Sequence, residues 1–230
     1  SLFPRYWVEP KSGMEDIRST DWRTRTQGWK AVGALADSGS LPAGCLRELR
    51  RPLAESLVEE RSSLMGAAYS ALLAIARKGT AGTSPLLNAL CAVLVETTGR
   101  GNSFISRTAS EALCELCVLS AGDERLITKV ASSGTKRERN HKIRLAVANA
   151  LLQVAQAWPS EALQRGDTII VVGTALDAAS SDKHSAVRKC ARKGSNVLER
   201  RLEGGGPTTS SPPPLARAAV RRASQLAASR

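Results

Sequence analysis

The sequence predicts an all-helical solenoid made of about five stacked helix pairs. Three observations lead to this fold class. Aromatic residues make up only 3% of the 230 residues, whereas hydrophobic residues make up 42%, a balance that suits helices more than a β-sandwich. Apolar residues recur at helical spacing in several successive segments. These segments begin at intervals of about 40 residues, and such a fixed interval is the signature of a repeat architecture.

The repeat is clearest in four segments that each begin after a polar loop. Their first apolar residues lie 41, 38 and 44 residues apart, and they are Leu64, Ile105, Ile143 and Val187. A fifth helix is predicted after Asp21, with Trp29, Val32 and Leu35 on one face. The interval is that of HEAT-type repeats, in which one helix pair cannot bury its own apolar face and therefore stacks on its neighbours.

Partner helices are predicted between these segments, at residues 46–58, 84–96, 123–131 and 160–179. Pro85 and Pro159 lie where a helix begins, and Gly79, Gly99 and Gly134 lie where a helix ends. The apolar runs 90–95 and 168–172 are interpreted as helical too, because each lies within a longer helical pattern.

The two ends of the chain differ from the repeats. Residues 1–11 form a leader rich in aromatic residues that we expect to pack on the first repeat, and residues 12–203 form the repeat domain. Residues 204–230 are rich in Gly, Pro, Ser and Ala and carry four arginines and no acid, so they are interpreted as a flexible basic tail.

Motifs of catalysis and cofactor binding are absent from the sequence. It has no phosphate-binding loop, metalloprotease or EF-hand motif. Neither His141 nor His184 lies near a nucleophile signature. The five cysteines are interpreted as reduced core thiols, and Cys114-x-x-Cys117 has no second pair to complete a zinc site. We therefore predict no enzymatic activity, catalytic residue, cofactor or metal. No apolar run reaches the roughly 18 residues of a membrane span, and residues 1–10 lack the apolar block of a signal peptide.

The loops within the helix pairs carry much of the net charge of +12. In a stack of this kind the loops 21–25, 60–63, 100–104, 136–142 and 181–185 share one edge. Their cations are Arg23, Arg25, Arg61, Arg100, Lys136, Arg137, Arg139, Lys142 and Lys183. Trp22 and Phe104 lie among these cations. Such an edge suits an extended acidic partner, and the alternative is a set of ordinary solvated loops.

Three motifs at the appropriate repeats resemble those of TOG domains, in particular the crescerin and CLASP branches. The motifs are Asp21-Trp22-Arg23-x-Arg25, Asn102-Ser-Phe-Ile105 followed by Glu111-Ala-Leu113, and Asp182 followed by Val187-Arg188 and Ala191-Arg192-Lys193. The resemblance covers residues 12–203.

This resemblance implies a flat, paddle-like α-solenoid whose intra-pair loops bind αβ-tubulin and regulate microtubule growth or stability. The implied tubulin-binding residues are Trp22, Arg23, Arg61, Ser62, Arg100, Asn102, Ser103, Asn140, Lys142, Lys183 and His184. Trp22 would contact β-tubulin, whereas Arg144 and Arg188 would brace the repeats. The implied location is the cytoplasmic cytoskeleton, including cilia, flagella or microtubule plus ends, with no small-molecule substrate and no membrane.

Two other functions stay open at this stage. One is a HEAT-repeat scaffold for another protein, without tubulin binding. The other, less favoured, is a nucleic-acid-binding HEAT protein similar to alkylpurine DNA glycosylases, which the sequence pI of about 10.1 would suit. Such an enzyme needs a carboxylate beside aromatic residues in a cationic groove, and the sequence identifies no such set. Cations on the loop edge would favour tubulin, whereas cations on a concave helical face would favour nucleic acid.

Overall fold

The computed structural model describes residues 10–79, 82–135 and 140–203. Within these ranges the chain forms eleven α-helices and no β-strand, so the predicted all-α solenoid is confirmed. The helices are α1 (Pro10–Asp16), α2 (Trp22–Asp37), α3 (Leu46–Leu57), α4 (Ser62–Lys78), α5 (Thr83–Thr98), α6 (Ser103–Leu119), α7 (Glu124–Ser133), α8 (His141–Ala157), α9 (Ser160–Leu163), α10 (Thr168–Ser180) and α11 (Ser185–Glu203).

The helices follow one another as five pairs, α1–α2, α3–α4, α5–α6, α7–α8 and α10–α11. The short α9 precedes α10, and a single 3₁₀ turn, Ala43–Cys45, precedes α3. The chain divides into two compact units, residues 1–93 and residues 94–230. In the described part of the chain, no helix has both the length and the apolarity needed to cross a bilayer.

In the first unit, α2 packs on α4 and is flanked by α1. Trp29 of α2 is fully buried, and its indole Nε1 donates a hydrogen bond of 2.9 Å to the Ser56 hydroxyl of α3. The α1–α2 contact is close because α2 has a glycine there. A Cβ at Gly28 would lie 2.7 Å from the backbone nitrogen of Ile17.

In the second unit, the second helices of three pairs form one layer, with α6 on α8 and α8 on α11, while α7 and α10 form the other. Trp158, after α8, is fully buried and donates a hydrogen bond of 2.8 Å to the Cys117 carbonyl of α6. This polar partner satisfies the indole inside an otherwise apolar interior.

The prediction of one continuous helix at 160–179 was wrong. It is interrupted between α9 and α10, where Gly166 has a φ of 55°. A left-handed residue cannot continue a right-handed helix. The hydrophobic pattern does not reveal this break, because buried apolar residues lie on both sides of it, Leu163 before and Val172 after.

The cysteines are less uniform than predicted. All five are free, and Cys91 and Cys117 are buried in the core. Cys45, Cys114 and Cys190 are only half-buried, so their description as core thiols was wrong. Burial raises the pKa of Cys114 and of Cys190 to about 11, which keeps both as neutral thiols near neutral pH.

Residues 1–9 and 204–230 lie outside the described ranges, so the predictions for the aromatic leader and the basic tail fall largely outside them. Helix α1 begins at Pro10, inside the segment predicted as a leader.

Candidate functional site

The intra-pair loops lie in both units, and each unit is described separately. Loops 21–25 and 60–63 form the first loop group, in the first unit. Loops 100–104, 140–142 and 181–185 form the second loop group, in the second unit. Residues 136–139, which include the predicted cations Lys136, Arg137 and Arg139, lie outside the described ranges. Every loop leads into the second helix of its pair.

In the first loop group, Trp22 is half-buried at the start of α2 and contacts two arginines. The guanidinium carbon of Arg23 lies 5.2 Å from the Trp22 ring centroid, and that of Arg61, in the other loop, lies 5.8 Å away. Both distances are within cation–π range. The structure therefore brings together three predicted site residues as an aromatic ring with two exposed cations.

Asp21 fixes the position of this ring by capping α2. Its carboxylate accepts hydrogen bonds from the Thr24 backbone N–H at 2.9 Å and from the Thr24 hydroxyl at 2.8 Å. These bonds lower the pKa of Asp21, chiefly through the backbone N–H. Because the cap holds the first turn of α2, it also sets the direction of Trp22.

Arg25 was predicted to be a cation of the binding edge, but in the structure its charge is paired within the protein. Its guanidinium forms an ion pair of 2.8 Å with Glu59 at the end of α3, and both side chains are largely buried. Glu59 also lies 3.6 Å from Arg61. Glu59 therefore pairs with both arginines, closely with the largely buried Arg25 and more distantly with Arg61, whose side chain is 56% exposed. Ser62, the next predicted contact, is exposed at the start of α4.

In the second loop group, Asn102 caps α6. Its side-chain oxygen accepts hydrogen bonds from the backbone N–H of Phe104 at 3.0 Å and of Ile105 at 3.4 Å. Ser103 and Arg100 are exposed beside it. Phe104 has 44% of its surface exposed, and among the described residues it is the exposed large hydrophobic side chain.

Asn140 and Lys142 connect the third loop to the fourth. The Asn140 amide donates a hydrogen bond of 2.8 Å to the Gly99 carbonyl, and its oxygen accepts one of 3.0 Å from the Lys142 N–H. The Lys142 ammonium donates to the Arg100 carbonyl at 3.1 Å. Both predicted contact residues are thus held by the neighbouring loop.

The fourth and fifth loops meet through two histidines. The rings of His141 and His184 are stacked with their centroids 4.3 Å apart and an interplanar angle of 17°. The His184 backbone N–H donates to the Asp182 carboxylate at 2.7 Å. Lys183, the remaining predicted contact, lies between Asp182 and His184 in the sequence and is exposed. Sequence reasoning placed both histidines in the loops of successive repeats but missed this stack. They are not at equivalent positions, because His141 is the first residue of α8 whereas His184 precedes the first residue of α11.

A buried ion pair supports these last two loops. Asp182 accepts from Arg144 of α8 through Nε at 2.6 Å and Nη2 at 3.0 Å. The hydrogen bonds from Arg144 lower the pKa of Asp182. Arg188 donates to the backbone carbonyls of Asp182 and Lys183 at 2.8 and 2.9 Å. Arg144 therefore braces the neighbouring repeat as predicted, whereas these hydrogen bonds of Arg188 hold the loop of its own repeat.

These groups suit recognition of a protein surface. The loops offer an aromatic ring, exposed guanidinium groups and helix ends whose caps are held by hydrogen bonds. Within the described ranges, no group of three His, Cys, Asp or Glu side chains lies close enough to hold a metal ion.

Comparison with known proteins gives a consistent result. The model of the family described as CLASP N terminal matches residues 36–196. Three solved structures share the fold at low identity. The MAST/Orbit N-terminal domain is 14% identical, with a TM-score of 0.63 over 95% of this chain and 97% of that one. The TOG domain of human Cep104 is 14% identical, with a TM-score of 0.58 over 97% of this chain and 94% of that one. An archaeal HEAT-like repeat protein from Thermococcus onnurineus NA1 is 12% identical, with a TM-score of 0.53 over 96% of this chain and 87% of that one. No curated protein matches the sequence.

Proposed function

The chain belongs to the CLASP N terminal family, and from that premise we propose that it is a microtubule-associated TOG domain that binds αβ-tubulin through its intra-pair loops. The observation that carries the proposal is the Trp22 ring with Arg23 and Arg61 beside it. A rigid aromatic ring supplies binding energy, and flanking cations attract an acidic protein surface. The proposed role is regulation of microtubule growth or stability.

The remaining contact residues enter the proposal with two different roles. Arg100, Ser103, Lys183 and Ser62 are exposed and are proposed to touch tubulin directly. Asn102 and Asn140 use their side-chain oxygens to cap α6 and α8, and Asn140 also holds the third loop. We assign these two asparagines to positioning the loops. Lys142 and His184 are half-buried and tied to neighbouring loops, and they are proposed as further contacts.

The test is co-elution with purified αβ-tubulin in size-exclusion chromatography. Trp22→Ala should reduce co-elution strongly at every ionic strength, because loss of an aromatic anchor residue commonly costs about 2 kcal/mol or more. Trp22→Phe keeps a ring between the arginines and should retain part of the binding. Circular dichroism should show unchanged helicity in both variants. Unimpaired co-elution of Trp22→Ala would overturn the role of this ring.

Charge reversal at Arg61 provides an independent second test of tubulin binding. Arg61→Glu should weaken tubulin binding most at low salt, since exposed charges are screened over about 8 Å at physiological ionic strength. Arg47→Glu, an equally exposed arginine on α3, is the matched control and should have little effect. Equal losses in both variants would indicate a response to net charge alone.

The scaffold function without tubulin binding is the second candidate. This function is favoured by loop residues whose charged or polar groups are already bonded to other residues of the protein. Arg25, in its ion pair with Glu59, is one of them. Wild-type protein that fails to co-elute with tubulin at low salt would favour this candidate.

We further propose that the protein lacks enzymatic activity, as is typical of this family and fold, and that it locates to cytoplasmic microtubules, including plus ends or cilia. A fluorescent fusion would test the location.

A further inference from the structure

The third intra-pair loop carries a sequence of the kind that basic-directed protein kinases modify. Arg100-Gly-Asn-Ser103 places an arginine three residues before a serine, and Phe104 follows that serine. Kinases of this class bind the arginine with carboxylates and accept an apolar residue after the hydroxyl, so the charge pattern of the substrate decides which hydroxyl is modified. The segment 100–104 is called the third-loop motif below.

Accessibility distinguishes the serine of this motif from the other hydroxyls at the same spacing. Within the described ranges, five more serines or threonines lie three residues after an arginine. Two of them are buried, Thr26 and Thr168. The other three lie inside a helix, at least one turn past its first residue, and they are Ser110, Thr128 and Ser195. A kinase takes its substrate as an extended segment, and extending the interior of a helix breaks helical hydrogen bonds on both sides.

The third-loop motif can be extended at a small cost. All five of its residues are exposed, including the apolar Phe104 at 44%. Three of them precede α6, and Ser103 is the first residue of that helix. The first N–H groups of a helix have no acceptor within it. Extension therefore breaks chiefly the two cap bonds to the Asn102 side chain, at 3.0 and 3.4 Å, and the bond of 3.0 Å from the Ser106 N–H to the Asn102 carbonyl.

We propose that Ser103 is a phosphorylation site and that its phosphorylation switches off tubulin binding, the second part of which rests on the function proposed above. In the modification, the γ-phosphoryl group of ATP passes to the Ser103 Oγ. The new Oγ–P bond forms as the bond between the γ-phosphorus and the bridging oxygen breaks. The hydroxyl proton passes to the catalytic carboxylate of the kinase, and ADP leaves.

The switch follows from the change of charge in this loop. Ser103 is neutral, whereas a phosphoserine carries a charge of about −1.5 to −2 at pH 7. Arg100 and Lys142 supply two positive charges here, and the Lys142 ammonium donates to the Arg100 carbonyl at 3.1 Å. The phosphate reduces their sum to about zero. An acidic partner surface then loses its attraction to the loop and meets a like charge.

The first experiment measures the modification without tubulin. The full chain is incubated with a calcium/calmodulin-dependent protein kinase and ATP, and phosphate is located by mass spectrometry. We expect phosphate on Ser103 and none on Thr128, which has the same arginine spacing inside α7. Arg100→Gln should slow modification of Ser103 at least roughly tenfold, because a charge-assisted contact with the kinase is lost. The proposal is overturned if Ser103 takes up no more phosphate than Thr128, or if Arg100→Gln is modified as fast as wild type.

The second experiment compares tubulin co-elution before and after kinase treatment. Phosphorylated wild type should bind at least roughly tenfold more weakly than untreated wild type. Ser103→Ala should bind equally before and after treatment, which controls for phosphate on other residues. Unchanged binding of wild type phosphorylated on Ser103 would overturn the switch alone. Untreated wild type that does not bind tubulin would overturn both the switch and the proposed function, so the two failures are distinguishable.

Discussion

Arg144 and Asp182 form the one ion pair within the described ranges whose two side chains are both almost completely buried, with 4% and 6% of their surfaces exposed. Arg144→Met would leave the Asp182 carboxylate buried without its partner. Breaking a buried pair in this way commonly costs about 3–5 kcal/mol. We expect a loss of that size in the free energy of unfolding, measured with urea. Arg188→Met, which removes only hydrogen bonds to two carbonyls at a partly exposed site, is the comparison and should cost less.

The same pair predicts a pH dependence of stability. The pKa of Asp182 is lowered in the folded state by the hydrogen bonds from Arg144. Its contribution is therefore fully present above the unfolded pKa of about 3.9 and is lost as the pH falls through the lower folded pKa. Wild type should lose more stability than Asp182→Asn on acidification below about pH 4. Melting curves of both proteins across this range measure the difference, and parallel slopes would contradict the prediction.

At the scale of single residues, the sequence identified side chains better than their partners. Trp22, Arg23 and Arg61 were predicted to share a site, and the structure places them in contact. Arg25 was assigned to the same edge because it is a cation in the same loop, yet its charge is neutralised by Glu59, 34 residues away in the chain. A pairing of that kind depends on how α3 approaches α2, which the local sequence does not contain.

At the scale of helices, close approach at glycine yields a matched prediction. Gly28 and Gly66 both lie inside helices, α2 and α4. A Cβ at Gly28 would meet the backbone nitrogen of Ile17 at 2.7 Å, whereas a Cβ at Gly66 would have no neighbour within 4 Å. Gly28→Ala should therefore destabilise the protein by about 1–3 kcal/mol through overpacking. Gly66→Ala should stabilise it by about 0.5–1 kcal/mol because alanine is the better helix former.

Urea unfolding of the two alanine variants measures both effects. Stabilisation by both substitutions would show that α1 does not pack tightly on α2 at Gly28.

The positions of the helices follow from the apolar period and its polar interruptions, which is why most predicted helices match those observed. The break between α9 and α10 was not predicted, because it depends on the backbone conformation of Gly166. A hydrophobic pattern carries no information about the φ angle of a residue.

At the scale of the whole chain, the period of about 40 residues established the repeat architecture because a helix pair becomes stable only by stacking. The loops that form the candidate site follow from that period, since each precedes the second helix of a pair. The contacts between loops, such as the stack of His141 on His184, depend on the rotation of one pair against the next. No single repeat encodes that rotation.

Residues 204–230, which lie outside the described ranges, are expected to be dispensable for folding. They contain too few apolar residues to bury a core, so their deletion should leave the melting temperature nearly unchanged. The deletion also removes four arginines and no acid from a chain of net charge +12. Binding to an acidic partner should therefore become weaker and less dependent on salt, because fewer positive charges attract the partner. Thermal unfolding and salt-dependent co-sedimentation with microtubules measure the two effects. A melting temperature lowered by several degrees would instead show that Leu215 or Leu226 packs against the repeats.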